Sequence, residues 1–251
     1  MKGAPTTNQH RRNLFALALL SSAFLATFFL FSFSTLITAE PSGASITYNS
    51  TDNGPTIQPS SHTANRSTIT TLILDVLQQD QHWKAYIGNV TGTFTLDDAN
   101  NYTIYSWPSS ATITGEVIVS RATLDFSTVS CAAAGTIASE ETFHNMTAAE
   151  SDSISSTFNW TGHTTTTIAS TALSGCNATT LYVNDASQGQ TSAADFQEFL
   201  MEDNGGNLAY VAIINDNTAG YNNQNYDFQA IVAESDVKTS PTTYYFYVEL
   251  G

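Results

Sequence analysis

Positive charge is what this sequence has least of. Three of its seven Lys and Arg, Lys2, Arg11 and Arg12, sit at the N-terminus. From Glu40 onward only Arg66, Lys84, Arg121 and Lys238 remain, against 22 acidic residues. Such a surface repels nucleic acid and anionic lipid, so no nucleic acid partner is expected. Charge of either sign is scarce, at 12% of the chain. Ser, Thr and Asn supply most of the polarity, which suits an extracellular β protein better than a cytosolic enzyme.

Catalytic motifs are missing as well. The chain has no Gly-x-Ser-x-Gly, no His-Glu-x-x-His, no P-loop and no dinucleotide fingerprint. His10 lies in the N-terminal segment, and His62, His82, His144 and His163 make no i,i+4 pair. Asp97 and Asp98 are adjacent in a turn-forming stretch, which points their carboxyls apart, and turn chemistry accounts for them. Acid–base catalysis needs titratable groups gathered in a concave site. Nothing in the sequence gathers them, so the expectation is a protein that is not an enzyme and has no organic cofactor.

Cysteine is limited to Cys131 and Cys176. Neither has the C-x-x-C spacing of a metal site or an adjacent base. In an oxidising compartment two such residues form one disulfide. Closing a loop of this length stabilises by roughly 4 kcal/mol in the chain-entropy model.

Long apolar runs are limited to one, from Leu14 to Ala39, preceded by the three basic residues. It is an export signal or a membrane anchor, with the bulk of the chain outside. Its 26 residues exceed a signal core and suffice to span a bilayer. Thr38-Ala39 offers a small residue for cleavage, but Ile37 stands where a second small residue is expected. Both outcomes remain open. Arg11-Arg12-Asn13-Leu14-Phe15 resembles a twin-arginine signal, and an ordinary basic N-region fits equally. Lys2-Gly3-Ala4 resembles a prepilin cleavage site. However, Pro5 to Asn13 separates it from the apolar run.

Residues 40–66 are rich in Ser, Thr, Pro and Asn and read as a linker, in which Ile46 and Tyr48 are candidates to start an edge strand. Residues 67–251 read as a single β-rich domain, long enough to bury about 70% of its surface. Ser67–Leu77 and Trp83–Val90 suit strands. Thr93-Phe94-Thr95-Leu96 and Tyr102 to Trp107 alternate polar and apolar around Asp97 to Asn101, the signature of a hairpin with Phe94 and Leu96 facing a core. Further strands are expected over Ala111–Ser120, Thr164–Ser170, Thr180–Val183, Tyr226–Ala233 and Thr242–Leu250. A second hairpin joins Phe196–Met201 to Leu208–Ile214 through Asp203-Asn204-Gly205-Gly206, with a helix over Ala193–Met201 as its rival. Thr136–Met146 is the best helix. The fold class is mainly β: an antiparallel sandwich or barrel-like domain with one short helix, behind an N-terminal signal or anchor helix.

Trp83, the run Tyr86 to Thr93, Thr95-Leu96-Asp97-Asp98 and Tyr105-Ser106-Trp107 form a block that resembles one in uncharacterised secreted or surface-anchored archaeal proteins. Tyr226-Asp227-Phe228-Gln229 and the ending Thr243 to Leu250 are similar to the same group. The resemblance implies an extracytoplasmic β-rich protein and brings no catalytic residues.

Seven Asn-x-Ser/Thr sequons, at Asn49, Asn65, Asn89, Asn101, Asn145, Asn159 and Asn177, are candidate glycan acceptors. Asp203 with Glu202, Asn204 and Gly205, and Asn215-Asp216-Asn217 with Gly220, put hard oxygens on loops and are candidate Ca²⁺ ligands. Eleven Tyr and three Trp could supply a sugar platform, although strand aromatics are more often half-buried in sheets. The leading expectation is a structural or adhesive cell-surface domain. It would contact other surface proteins or glycans, with the membrane reached through residues 14–39. The alternatives are a calcium- or carbohydrate-binding module, a pilin-like filament subunit, and a hydrolase whose site is invisible in the sequence.

Overall fold

The computed structural model describes residues 40–48, 50–51, 61, 63, 82–100, 102–108, 112–235 and 241–251. The apolar run over 14–39, the strand expected over 67–77 and the sequons Asn49, Asn65 and Asn101 lie outside them. Among the described residues, no helix is long and apolar enough to cross a membrane.

The elements run β1 Ser42–Gly43, β2 Trp83–Gly88, β3 Thr93–Asp97, β4 Thr103–Pro108, β5 Gly115–Ser120, β6 Val129–Cys131, α1 Ala134–Phe143, α2 Ile154–Thr157, β7 Thr166–Ile168, β8 Thr171–Leu173 and β9 Ala178–Thr180. They continue with β10 Gln197–Asp203, β11 Leu208–Ile213, β12 Thr218–Ala219, β13 Asn225–Tyr226, β14 Phe228–Ala233 and β15 Tyr245–Leu250. The fold is mainly β, and its strand pairs are antiparallel. The principal sheet has the order β1-β15-β5-β11-β10-β6, with β9 also on β10.

That sheet is covered on both faces. Val117, Val119, Leu200, Tyr210, Ala212 and Val248 share one side with Ile137 of α1, Phe158 and the β14–β2 pair. Ile118, Phe199, Met201, Ala209 and Val211 take the other, against Ile168 and Leu173 of the β7–β8 hairpin and Cys176. Double burial explains why Val117-Ile118-Val119 and Phe199-Leu200-Met201 are unbroken apolar runs rather than alternating ones.

The outer edge of β10 is shared end to end. β9 pairs with Gln197 to Phe199, and β6 pairs with Met201 to Asp203. Cys131 ends β6, Cys176 lies just before β9, and the two are bonded as expected, with Cα atoms 4.9 Å apart. The disulfide therefore staples two half-strands onto one edge.

Several sequence expectations need correction. The β3–β4 hairpin forms, with Phe94 opposite Trp107 in register. Yet Leu96, expected to face a core, is 56% exposed. A bulge between Leu96 and Asp97 shifts the register there. Among the described residues β3 and β4 also pair only with each other, so the ribbon is part of no larger sheet. The side chain of Phe94 lies outside the described ones. Residues 197–203 are strand, as the second hairpin requires and against its helical rival, because β11 and the two half-strands pair with them. The strand expected over 164–170 stops at Ile168. Ala169 and Ser170, at φ 46° and 72°, make a two-residue turn into β8. The helix begins two residues before Thr136 and ends before Met146. Asn145 adopts φ 61°, with Met146 N–H bonded to Glu141 O and Asn145 N–H to Thr142 O. This is a Schellman stop built on Asn. Finally, Ser42 and Gly43 pair with Val248 and Tyr247, so the sheet begins inside the stretch read as linker.

Candidate functional site

The β3–β4 ribbon is the first candidate. Its turn is set by Asp98, whose Oδ1 accepts the Asn100 and Tyr102 amides at 2.8 and 3.0 Å. Those backbone donors, Tyr102 first, hold the Asp98 carboxyl below its ordinary range. The ribbon's base is tight: a Cβ on Gly92 would meet the Leu250 side chain at 2.1 Å. Beyond the base, Leu96 (56%), Tyr102 (72%), Ile104 (74%) and Tyr105 (60%) stand in solvent. Large apolar side chains left in solvent on both faces of a two-stranded ribbon make it a candidate interaction element. Alternation read from the sequence found the ribbon, but not its exposure.

The candidate calcium ligands fare differently. Both oxygens of Asp203 are occupied by N–H donors. Oδ1 accepts the amides of Gly205 and Asn207, and Oδ2 accepts the Asp125 amide and the Asn207 side chain. Burial alone would raise its pKa, but these donors outweigh it and the net direction is down. Asp203 thus performs the work of a turn residue. Asn215 donates to Asp195 O, and Asn217 Oδ1 accepts from Asn225. Asp216, Asp203 and Asp97 form no ligand cluster among the described residues. The grouping that does occur is His82, Glu150 and Asp152, whose ligand atoms lie within 4.8 Å of one another. No local pattern in the sequence marks it, because His82 and Asp152 are 70 positions apart.

Two further polar groupings are buried. On the α1 face, Arg121 Nε donates to both oxygens of Glu140 at 2.8 and 2.9 Å. His144 Nε2 lies 3.2 Å from Glu140 and 3.3 Å from the Tyr244 hydroxyl. Tyr244 donates to Ala233 O. Glu198, fully buried on the same side, accepts from the Ile231 amide through one oxygen, while the other has no partner. Burial drives its pKa well up, although the Ile231 amide opposes this. On the opposite face Glu116 and Glu249 are directly opposed on β5 and β15. Burial first, and then Glu249, push Glu116 up to about 8. Burial also raises Glu249, although the Ala169 amide opposes this.

His144 and His163 do not meet. His163 stacks on Phe199 at 4.4 Å on the other side of the sheet from Glu140. Its Nε2 accepts the Cys176 amide, and burial lowers its pKa.

One cavity, about 260 Å³, is lined by Thr164, Ser192, Asp195, Gln197, Ile213 and Asn215 among others. Asp195 is its one ionisable liner. Another, about 50 Å³, reaches Arg121 and Glu140. Neither is lined by Glu116 or Glu249.

Among the sequons, Asn89, Asn145 and Asn159 are exposed. The Asn159 amide nitrogen donates to Ser156 O. Asn177 is half-buried, and its amide nitrogen donates to Phe158 O at 2.9 Å. A glycan there would cost that bond. No family model, curated protein or solved structure matches the chain.

Proposed function

We propose that this protein is an exported cell-surface or secreted domain that works by contact and not by catalysis, with the β3–β4 ribbon as its contact element. The observation that carries this reading is the exposure of Leu96, Tyr102, Ile104 and Tyr105 on a ribbon that pairs with no other described strand. A two-stranded ribbon is marginally stable in water on its own. Large apolar groups on its surface gain more from a partner than from solvent. The doubly covered sheet and the disulfide supply a rigid base that does not depend on that partner. The partners in this reading are other surface proteins or glycans, and residues 14–39 deliver the domain to the cell exterior.

Tyr102 and Tyr105 give a carbohydrate reading its specific support, since exposed rings stack on sugars. One experiment separates the readings. The full chain is labelled and its binding to isolated cell envelopes is measured, before and after enzymatic deglycosylation of the envelopes. The double variant Leu96→Asp, Ile104→Asp is measured alongside. Saturable binding lost at least tenfold in the variant supports the contact reading, and loss on deglycosylation assigns the partner as glycan. Undiminished binding by the variant would remove the ribbon from the function.

A further inference from the structure

We propose that His82, Glu150 and Asp152 form a binding site for one divalent metal ion of the zinc class, which ties the start of β2 to the turn between α1 and α2. The proposal is independent of the contact function.

Three features of the site carry it. First, the donors converge from two segments: His82 precedes β2, while Glu150 and Asp152 follow α1. Their ligand atoms fall within 4.8 Å, and His82 Nδ1 lies 2.5 Å from Asp152 Oδ2. Tetrahedral coordination at about 2.0–2.2 Å would move these ligand atoms slightly apart, which the intermediate exposure of all three residues allows. Second, the charge is unbalanced. Two carboxylates face one imidazole, so one negative charge is left over even when the ring is protonated. Neither carboxylate has a Lys or Arg partner among the described residues. In a partly buried place, with His82 and Asp152 side chains only 14% and 19% exposed, that surplus favours a cation. Third, the supporting contacts are in place. The Asp152 carbonyl accepts Trp83 Nε1 at 2.8 Å, Glu150 Oε2 accepts the Thr147 amide at 2.9 Å, and the His82 carbonyl accepts the Glu234 amide at 2.7 Å. Such outer contacts orient ligands before a metal arrives.

The donor set also selects the metal. An imidazole nitrogen with two carboxylates suits Zn²⁺ and its neighbours. Calcium takes oxygen ligands alone. Three protein ligands leave a tetrahedral ion one position for water.

The test is titration of the metal-stripped full chain with Zn²⁺ alone, followed by calorimetry and by Tm, with Ca²⁺ and Mg²⁺ as parallel arms. The expected result is one Zn²⁺ per chain and a Tm rise of about 5 °C at a hundredfold excess over Kd. His82→Asn and Asp152→Asn should each weaken binding by about tenfold or more and erase the Tm rise. Glu116→Gln, on the far side of the sheet, should bind as the parent does. Glu150→Gln gives a third reading if either of the first two variants fails to fold. Absence of saturable Zn²⁺ binding, equal binding by the folded variants, or calcium binding in place of zinc would each overturn the assignment.

Discussion

The chain contains two hairpins written to one plan and used in opposite ways. Both join their strands through an acidic turn whose Asp accepts backbone amides: Asp98 those of Asn100 and Tyr102, Asp203 those of Gly205 and Asn207. Beyond the turn they part. β10–β11 is central to the principal sheet, with Phe199, Leu200 and Met201 fully buried, whereas β3–β4 carries Leu96 and Ile104 in solvent. Local turn chemistry makes a hairpin. The residues between the turn signals decide whether it is a core element or a surface one: unbroken apolar runs ask for two covered faces, and alternation asks for one or none.

The comparison is sharpest in stability. Phe199→Ala should cost about 3–5 kcal/mol through lost burial and a cavity, while Leu96→Ala should stay within about 0.5 kcal/mol. Denaturant unfolding of both variants checks it, and similar losses would show that the ribbon has a core of its own.

Removing the staple on β10 comes next. The Cys131→Ala, Cys176→Ala double variant opens a loop with a sequence separation of 45 and should lose about 4 kcal/mol. Amide exchange should rise first in β6 and β9. The β3–β4 amides should be unchanged, and parallel loosening there would break the distinction.

A pH arm tests the doubly covered sheet from within. Glu116 has its folded pKa raised to about 8. In the folded state it therefore keeps a proton that the unfolded chain releases. Its contribution to stability is full below the ordinary carboxylate range and is lost as pH rises towards 8, at most about 1.4 kcal/mol per pH unit. Glu116→Gln should flatten that decline, matching the parent at pH 4 and exceeding it at pH 8. A constant difference between the two across the range would exclude the titration. The ribbon offers no buried carboxylate to give such an effect.

The smallest effects belong to the turns. Asp203→Ala strands several amide donors in a part-buried turn and should cost about 2 kcal/mol by thermal unfolding. Asp98→Ala, on the open ribbon, should cost less and mainly broaden the NMR signals of residues 98–102. A larger loss at Asp98 than at Asp203 would reverse the order of the two hairpins.

The sequence by itself determined the strand-rich class, both hairpins and the disulfide, because each rests on short-range information: periodicity, turn residues, and a cysteine count of two. It also carries most of α1 but not its stop, which Asn145 sets by adopting a left-handed conformation that ends the helix. Tertiary structure alone decided what the polar residues do. Glu140 and Glu141, written like the exposed side of a helix, are buried on Arg121, His144 and the Ser155 amide. Asp203, with the composition of a calcium ligand, has its oxygens occupied by amides. His82 found two carboxylates in a turn 70 positions away. Burial and convergence are sums over contacts between distant segments. A carboxylate is the same letter whether it ends beside an amide, an arginine or an imidazole.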